Sequence, residues 1–370
     1  MSTPILLLNC GSSSIKYQVI DADDEQVVAS GIIQRIGEPE STLDHTYAGQ
    51  SRHDAHGFPN HARALAHLVG VFNEVGPRLA DVVAVGHRTV HGGAAFRQTV
   101  VIDDAVLAKL RELSPLAPLH NPPGIAGIEA AREVLPDVPH VAVFDTAFFS
   151  TLPAEAYTYA IDADLAAEHG IRKYGFHGTS HSFVSRRAAE FVGRDYGELK
   201  QIVCHLGNGA SISAIDRGVA VDTSMGLTPL AGLVMGTRSG DVDPGLHAFL
   251  GRVLGLDLNQ VDTLLNKKSG MLGLAGVTDF RDLSALIAAG DEKAKLAMDV
   301  YVHRLVTYIG AYHAILGGLD VLSFTAGVGE NDPRVRELVV GRLGALGIVL
   351  DAEANTVRSP QARAISAPES

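Results

Sequence analysis

The sequence lacks the features that would connect it with a membrane, a nucleic acid or an oxidising compartment. No apolar run approaches the roughly 20 residues that a membrane-spanning helix needs, and the opening Met-Ser-Thr-Pro has no basic stretch of a signal peptide. Two cysteines, Cys10 and Cys204, are too few for a disulfide framework. The formal net charge is −12, with no basic run to offset it. We therefore expect a cytoplasmic protein with reduced thiols, no membrane contact and no nucleic-acid partner.

The composition is that of a globular protein with a large core. Hydrophobic residues make up 46% of the 370 residues and charged residues 19%. A chain of this length predicts two domains, and we place the boundary near residue 150, giving residues 1–150 and 151–370. Residues 37–60 are polar and rich in histidine, which predicts a surface excursion. A short strand rich in Tyr and Ala is predicted just after Pro153.

The stretch from Ile5 to Asp21 predicts a strand, a phosphate-binding loop and a second strand. Apolar and alternating runs flank a loop of Gly and Ser. Gly11 allows close approach of an anion, and Lys16 supplies a positive charge just after the turn. An ordinary serine-rich hairpin explains the same letters equally well, because the G-x-x-x-x-G-K-[ST] pattern of a P-loop is absent.

The same order of features recurs in residues 202–216, IVCHLGNGASISAID. When the two stretches are aligned on their second strands, Gly11 lies over Asn208. Such a repeat indicates a duplicated fold in which two loops hold one ligand. Residues 321–331, VLSFTAGVGEN, give a third strand that enters a Gly-rich turn, and three loops of this type favour a nucleotide as the ligand.

Five cationic or imidazole side chains follow predicted strand ends, where α/β sheets bind ligands. Phosphoryl transfer needs such groups around the phosphate oxygens. Each has an ordinary alternative, a surface ion pair for Arg88 and a solvated or core position for the histidines. Asp145, directly after an apolar strand, either caps a turn or has a functional role. The five residues are Lys16, Arg88, His177, His205 and Arg238.

The motifs taken together resemble the acetate kinase family from residue 5 to about residue 350. They are NCGSSSIKY, GHRTVHGG, FDTAFF, YGFHGTSH, HLGNGAS, TPLAGLVMGTRSGDVDP, DFRD and FTAGVGEN. This family belongs to the sugar kinase, chaperone and actin superfamily. The resemblance implies an α/β protein of two duplicated actin-like, or ribonuclease H-like, domains. Each would contain a mixed five-stranded sheet flanked by helices, with the active site in the interdomain cleft.

The resemblance also implies roles for individual residues. Asn9 would contact Mg²⁺, with Mn²⁺ as a substitute, and His177 and Arg238 would stabilise the transferring phosphoryl group. Arg88 would bind acetate or acetyl phosphate, beside a methyl pocket of Val90, Leu119, Phe176 and Pro229. ATP or ADP would contact Lys16, His205, Leu206, Gly207, Asn208, Gly209, Asp279, Phe280, Arg281, Gly327, Val328, Gly329, Glu330 and Asn331.

Two positions need separate interpretation. Asp145 matches an acid described in the family as a proton donor or acceptor, but acetate is already ionised at neutral pH. We therefore expect Asp145 to orient Mg²⁺ or its water shell. Family members close with an Asn-Glu-Glu type strand that returns to the first domain and gives Mg²⁺ a glutamate. This sequence ends at Ala367-Pro-Glu-Ser370 without it, and we expect that the tail has been cut.

The implied reaction is reversible transfer of the ATP γ-phosphoryl group to acetate, giving acetyl phosphate and ADP by direct in-line displacement. Propionate is the alternative acceptor, because one methylene discriminates by only about 1–3 kcal/mol. An ATP-dependent clamp for a protein partner is a further alternative within the superfamily. The family also implies a homodimer. The apolar face from Tyr301 to Leu316 is either its interface or core.

Overall fold

The computed structural model describes residues 3–370. These fall into two compact units, Met1–Ser150 (unit 1) and Thr151–Ser370 (unit 2). Across the described residues, no helix has both the length and the apolar character that crossing a membrane requires.

Unit 1 is built on one mixed sheet, in which the order of the eight described strands is β5-β4-β3-β2-β1-β6-β8-β7. The first five strands of the chain pair antiparallel, whereas β6 is parallel to both β1 and β8. The strands are β1 (Pro4–Cys10), β2 (Ser14–Asp21), β3 (Val27–Gln34), β4 (Thr42–Tyr47), β5 (Gln50–Ala55), β6 (Ala84–Thr89), β7 (Val100–Val101) and β8 (His140–Phe144).

Two helices, α1 (His61–Glu74) and α3 (Asn121–Val134), pack on one face of this sheet. The alternation in β2 buries Ile15, Tyr17 and Val19 on that face. Burial of each such side chain favours folding by about 1.5–3 kcal/mol. Asn60 begins α1 by accepting a hydrogen bond from the N–H of Arg63. The shorter α2 (Asp104–Glu112) packs against α3.

The prediction of a surface excursion over residues 37–60 is wrong. β4 and β5 form a hairpin that extends the sheet, and Leu43 and His45 of β4 are themselves buried. His45 Nδ1 lies 2.7 Å from the Tyr17 hydroxyl, and its Nε2 lies 2.6 Å from the carbonyl oxygen of Val75. Both ring nitrogens are therefore satisfied inside the core, which is why a histidine is tolerated there.

Unit 2 contains a four-stranded sheet in the order β11-β10-β9-β12. β9 is antiparallel to β10 and parallel to β12, and most of its residues are buried. The long helix α11 packs against β9 and β10, and α6 packs against β9 and β12. The strands are β9 (Lys200–Leu206), β10 (Ala210–Asp216), β11 (Val219–Thr223) and β12 (Val321–Thr325).

The helices of unit 2 surround this sheet and also form the C-terminal part of the unit. They are α4 (Ala154–Tyr157), α5 (Ala163–His169), α6 (Gly178–Val192), α7 (Gly245–Leu254), α8 (Leu258–Lys267), α9 (Gly270–Ala275), α10 (Phe280–Ala288), α11 (Glu292–Leu316), α12 (Ala326–Asn331), α13 (Pro333–Val340) and α14 (Ala352–Thr356).

Three local predictions in unit 2 need comment. The strand expected after Pro153 is the helix α4, because Ala and Glu favour a helix and Pro153 stands just before its first turn. The Gly-rich turn expected after β12 closes into α12. The apolar face from Tyr301 to Leu316 is core, since Tyr301, Ile309 and Tyr312 are at most 2% exposed.

The predicted fold class is confirmed as α/β with mixed sheets, but the strand numbers differ from five per sheet. In unit 1 the segment β3-β2-β1-β6-β8 gives the five expected, and β4, β5 and β7 extend it at both edges. In unit 2 the described residues form only four strands, β11-β10-β9-β12, which correspond to β3-β2-β1-β6 of unit 1. β4 and β5 form because the polar residues 42–55 can pair at an edge with one face solvated, whereas β7 is a two-residue strand at the opposite edge.

Candidate active site

The hairpin β1–β2 presents its loop with the carbonyl groups held by the protein. His61 Nε2 lies 2.7 Å from the carbonyl oxygen of Gly11, to which only an N–H can donate. The N–H of Ile36 donates to Ser13 O at 3.0 Å, and the N–H of Gly11 donates to Ser14 O at 2.8 Å. Ser12 and Ser13 are exposed, as is Lys16 at the start of β2. Carbonyl oxygens that repel an anion are thus tied down beside exposed serines and a lysine.

Arg88 and Asp145 meet at the carboxyl ends of the parallel strands β6 and β8. Arg88 donates from Nε to Asp145 Oδ1 at 3.0 Å and from Nη2 to Oδ2 at 2.7 Å. Its third nitrogen, Nη1, lies 3.4 Å from Asn9 Oδ1. The Asp145 carboxylate raises the pKa of Arg88, so the guanidinium stays charged. Asp145 is 2% exposed, whereas the Arg88 side chain is 40% exposed and is open to a further anion.

Asn9 and Asp145 supply the oxygen donors that suit Mg²⁺. Within residues 3–370, no group of three His, Cys, Asp or Glu side chains is arranged to hold a metal ion. Magnesium commonly binds through one or two carboxylates together with water and substrate phosphates. The pair therefore fits a magnesium ion that takes its other ligands from the nucleotide and from water.

The two predicted methyl-pocket residues of unit 1 lie between Arg88 and Asp145 in the sequence. Val90 is half-buried just after β6, and Leu119 is 49% exposed before α3. Asn121 connects the two segments, because its Oδ1 accepts from the N–H of His91 at 3.2 Å and its Nδ2 donates to His91 O at 3.0 Å. This amide clamp fixes the start of α3 beside the segment that follows Arg88.

Unit 2 repeats the hairpin as β9–β10, with a loop of three residues, Gly207 to Gly209. The unit 1 loop has four residues between its closing pair, Cys10 and Ile15, so it is one residue longer, and Gly11 follows its first strand as Gly207 does. A Cβ added to Gly209 would lie 2.3 Å from Arg238 Nη2 and 3.6 Å from His177 Cε1. A glycine here lets the guanidinium and the imidazole approach the loop together.

Arg238 is a half-buried cation without a carboxylate partner in the described chain. Its Nη1 donates to the carbonyl oxygen of Pro229 at 2.6 Å, and no Asp or Glu of the described chain forms an ion pair with it. Burial lowers the pKa of Arg238. A buried charge is destabilising unless it is paired, so this guanidinium favours an incoming anion.

His177 begins α6 in the left-handed region, with φ of 60°, and stacks on His205 with ring centroids 4.2 Å apart. Its Nδ1 lies 2.8 Å from Ser211 Oγ, which is also 2.8 Å from His181 Nε2. The His181 Nδ1 lies 2.8 Å from Ser213 Oγ. Burial lowers the pKa of His181 well below its usual value, and the neighbouring His205 adds to this.

Ser211 and His181 were not singled out from the sequence. The signal was there, because His181 lies four residues after His177 on one helix face and Ser211 alternates inward in β10. Phe176, predicted to line the methyl pocket, is 1% exposed beside His177, and Pro229 contacts Arg238 through its carbonyl.

The remaining nucleotide candidates are of three kinds. Gly207 and Asn208 lie in the β9–β10 loop, whereas Leu206 is fully buried in β9 and offers only its backbone. Asp279 begins α10 and pairs with Arg281, which is 91% exposed, while Phe280 between them is core against Tyr301. The third kind is the nucleotide loop, defined as Gly327–Asn331 in α12. Here Gly327 and Asn331 are exposed, Val328 is half-buried and Gly329 is buried. Glu330 Oε1 accepts from the N–H of Ala326 at 3.0 Å.

Comparison with known proteins agrees with this geometry. A family model described as the Acetokinase family matches residues 4–370. The acetate kinase of Leifsonia xyli is 54% identical over 98% of this chain and 92% of its own length. The crystal structure of Porphyromonas gingivalis acetate kinase has a TM-score of 0.94 and 45% identity, covering 100% of this chain and 94% of its own. A propionate kinase from Francisella tularensis has a TM-score of 0.94 and 39% identity, with the same coverage.

Two α/β units of the actin-like fold, each with a glycine- and serine-rich hairpin and an arginine, define a phosphotransferase of the kinase class. The chain belongs to the acetokinase family.

Proposed function

We propose that this protein is an acetate kinase, which transfers the ATP γ-phosphoryl group reversibly to acetate and forms acetyl phosphate and ADP. The observation that carries the proposal is the half-buried guanidinium of Arg238, which has no carboxylate partner in the described chain and lies with His177 beside the Gly209 loop. Cations placed in this way stabilise the charge on a transferring phosphoryl group.

Unit 1 supplies the acceptor side. Arg88 binds the acetate carboxylate through the part of its guanidinium that Asp145 leaves open. Val90 and Leu119 of this unit line the side of the acceptor site that takes the methyl group. Acetate is ionised at neutral pH, so its carboxylate oxygen attacks phosphorus without a base. As this bond forms, the bond to the β-phosphate oxygen breaks, and ADP leaves with the electron pair.

Unit 2 supplies the nucleotide side. Arg238 and His177 stabilise the phosphoryl oxygens, and His177 is oriented by Ser211, whose Oγ lies 2.8 Å from its Nδ1. The β9–β10 loop with His205, the Asp279–Arg281 segment and the nucleotide loop hold ATP. A phospho-enzyme is not required, because a carboxylate aligned by Arg88 is an adequate nucleophile.

Magnesium, or manganese in its place, would be held by Asn9 and Asp145 and would neutralise charge on the nucleotide phosphates. Asp145 thus has two roles in this proposal, as the counter-ion that orients Arg88 and as an orienting group for the metal or its water shell.

We further propose that the protein is a cytoplasmic homodimer without nucleic-acid or membrane partners. Its interface excludes the face from Tyr301 to Leu316, because those side chains form the core of unit 2. Sedimentation equilibrium is expected to give twice the mass of one chain; a single-chain mass over the micromolar range would contradict it.

The test is formation of acyl phosphate, trapped as hydroxamate, with ATP, Mg²⁺ and a panel of acetate, propionate and butyrate. We expect the highest kcat/KM with acetate. Propionate is the second candidate, supported by the similarity to a propionate kinase, and a higher kcat/KM with propionate would select it. ATP turnover stimulated by no carboxylate but by a protein partner would instead indicate a clamp and overturn the proposal.

A further inference from the structure

A buried guanidinium in unit 2 lies outside the proposed catalytic groups. Arg336, on α13, is 2% exposed. Its Nη1 donates to Gly329 O at 2.8 Å and to Glu330 O at 2.9 Å. Its Nε donates to Asn355 Oδ1 at 2.7 Å and its Nη2 to Asn355 O at 2.6 Å. No Asp or Glu of the described residues forms an ion pair with it. We call Arg336 and Asn355 the arginine clamp.

Two acceptors of the clamp belong to the nucleotide loop. Gly329 and Glu330 lie near the C-terminal end of α12, where helix carbonyls lack partners and carry partial negative charge. A helix of six residues is too short to be stable alone. It also begins at Ala326 with φ of 66°, a conformation that costs a non-glycine residue about 1 kcal/mol. The loop therefore depends on contacts from outside it, and Nη1 of Arg336 alone donates to two successive carbonyls.

The other side of the clamp is the C-terminal helix α14. Asn355 is 3% exposed, accepts twice from Arg336 and donates from Nδ2 to Pro333 O at 2.8 Å. Asp351 begins α14 by accepting from the N–H of Ala354 at 2.9 Å. Two buried polar side chains with most of their donors and acceptors paired thus connect the nucleotide loop, the start of α13 and α14.

Burial and the nearby Arg363 lower the pKa of Arg336, and Asp332 opposes them. An apolar side chain of similar volume would avoid this electrostatic cost but would leave the two loop carbonyls and the Asn355 amide without donors. Unlike an apolar side chain, the arginine fixes the position of the nucleotide loop through these hydrogen bonds.

We propose that Arg336 and Asn355 are positioning residues for the nucleotide, which fix the carbonyls of Gly329 and Glu330 so that Gly327 and its neighbours face the nucleotide. This inference rests on the proposed assignment of the nucleotide loop to ATP. The clamp touches no reacting atom. Its loss weakens nucleotide binding and leaves acetate binding unchanged.

The test compares Asn355→Ala, Asn355→Asp and Arg336→Lys with Arg334→Lys as matched control, since Arg334 is exposed on the same helix. ADP affinity is measured by titration calorimetry, which does not depend on turnover, and KM is measured for ATP and for acetate. Asn355→Ala and Arg336→Lys are expected to weaken ADP binding and raise KM for ATP about five-fold, the effect of losing one well-placed hydrogen bond. In these variants KM for acetate stays within about two-fold of the wild type. The Arg334→Lys control keeps the wild-type ADP affinity and both KM values.

Asn355→Asp keeps the acceptor for Nε but loses the Nδ2 donor to Pro333 O, so it is expected to weaken ADP binding less than Asn355→Ala does. Equal rises in KM for ATP and acetate, or a fall in thermal stability with ADP affinity unchanged, would overturn the inference. Gly327→Val separates it from the underlying assignment, because a Cβ at Gly327 meets nothing within 4 Å. If Gly327→Val leaves ADP affinity unchanged, both the assignment and the clamp's role fail. If it weakens ADP binding and the clamp variants do not, only the clamp's role fails.

Discussion

The two units hold their arginines in opposite ways. Arg88 of unit 1 is bound by both oxygens of Asp145, whereas Arg238 of unit 2 is half-buried and donates to a carbonyl oxygen. The carboxylate raises the pKa of Arg88, and burial lowers that of Arg238. An arginine paired with a carboxylate suits reversible binding of a substrate anion. An arginine without a carboxylate partner suits charge that develops only during the reaction.

The hairpins beside these arginines differ in a matching way. The unit 1 loop is fixed through its carbonyls by His61 and by the N–H of Ile36, and nothing but a serine lies near the Cβ position of Gly11. The unit 2 loop leaves room at Gly209 for Arg238. One structural repeat thus serves two tasks, and the difference lies in the side chains that surround each loop.

The largest effect is expected from Arg238→Ala. Removing the cation that faces the transferring phosphoryl group should lower kcat about a thousand-fold. Hydroxamate kinetics measures it, with Arg252→Ala, an exposed arginine on α7, as the control. A loss below about ten-fold would mean that burial of Arg238 serves the fold and not the reaction.

Asp145→Asn comes next. The amide keeps the shape of the side chain but removes the counter-ion of Arg88, so kcat/KM for acetate should fall about a hundred-fold. The Mg²⁺ concentration that gives half-maximal activity should rise. Exposed Asp137→Asn is the control. Normal Mg²⁺ affinity together with a shifted pH profile would contradict the metal-orienting role, and a trapped phospho-aspartate at Asp145 would contradict direct transfer.

The same substitution in the two hairpins should have unequal effects. Gly209→Ala pushes a methyl group against Arg238, with an expected fall in kcat on the order of 10- to 100-fold. Gly11→Ala places its Cβ 3.1 Å from Ser14 Oγ, which can rotate away, so its kcat should stay within about three-fold of the wild type. Circular dichroism checks that both variants fold. Equal losses in the two variants would contradict the different tasks of the loops.

A smaller effect concerns the stability of unit 1. His87 is buried with Nε2 2.9 Å from His140 Nδ1, and burial, with a contribution from His140, lowers the pKa of His87 from 6.5 to about 3. Between pH 6.5 and about 3, His87 binds a proton in the unfolded chain but not in the folded one. The free energy of unfolding is therefore highest above pH 6.5 and falls as the pH drops toward 3. The slope is roughly 1.4 kcal/mol per pH unit.

His87→Gln should flatten this part of the profile in urea unfolding between pH 4 and 7, while exposed His247→Gln should leave it unchanged. If the dependence of unfolding free energy on pH were unaltered in His87→Gln, His87 would have the same pKa in the folded and unfolded chains, and the explanation would be wrong.

Much of the framework could be predicted from the sequence, because it depends on local patterns. Alternation gave the two hairpins, and strand ends placed Arg88 and Asp145 at one sheet edge. Their ion pair was not visible, since it joins residues 57 apart in the chain. The burial of His45 could not be predicted, because its neighbours in the sequence are polar and its core partner, Tyr17, lies 28 residues away in the chain. Arg336 escaped notice because a buried guanidinium satisfied by carbonyls leaves no pattern of charge.

The most direct test of the division of labour between the two arginines is steady-state kinetics of Arg88→Lys and Arg238→Lys with acetate as the varied substrate. Lysine keeps the charge but loses the bidentate fork. We expect Arg88→Lys to raise KM for acetate about ten-fold or more. Arg238→Lys should lower kcat and leave KM for acetate close to that of the wild type. If Arg238→Lys raises KM for acetate as much as Arg88→Lys does, or leaves kcat unchanged, the two arginines do not have the separate roles assigned to them.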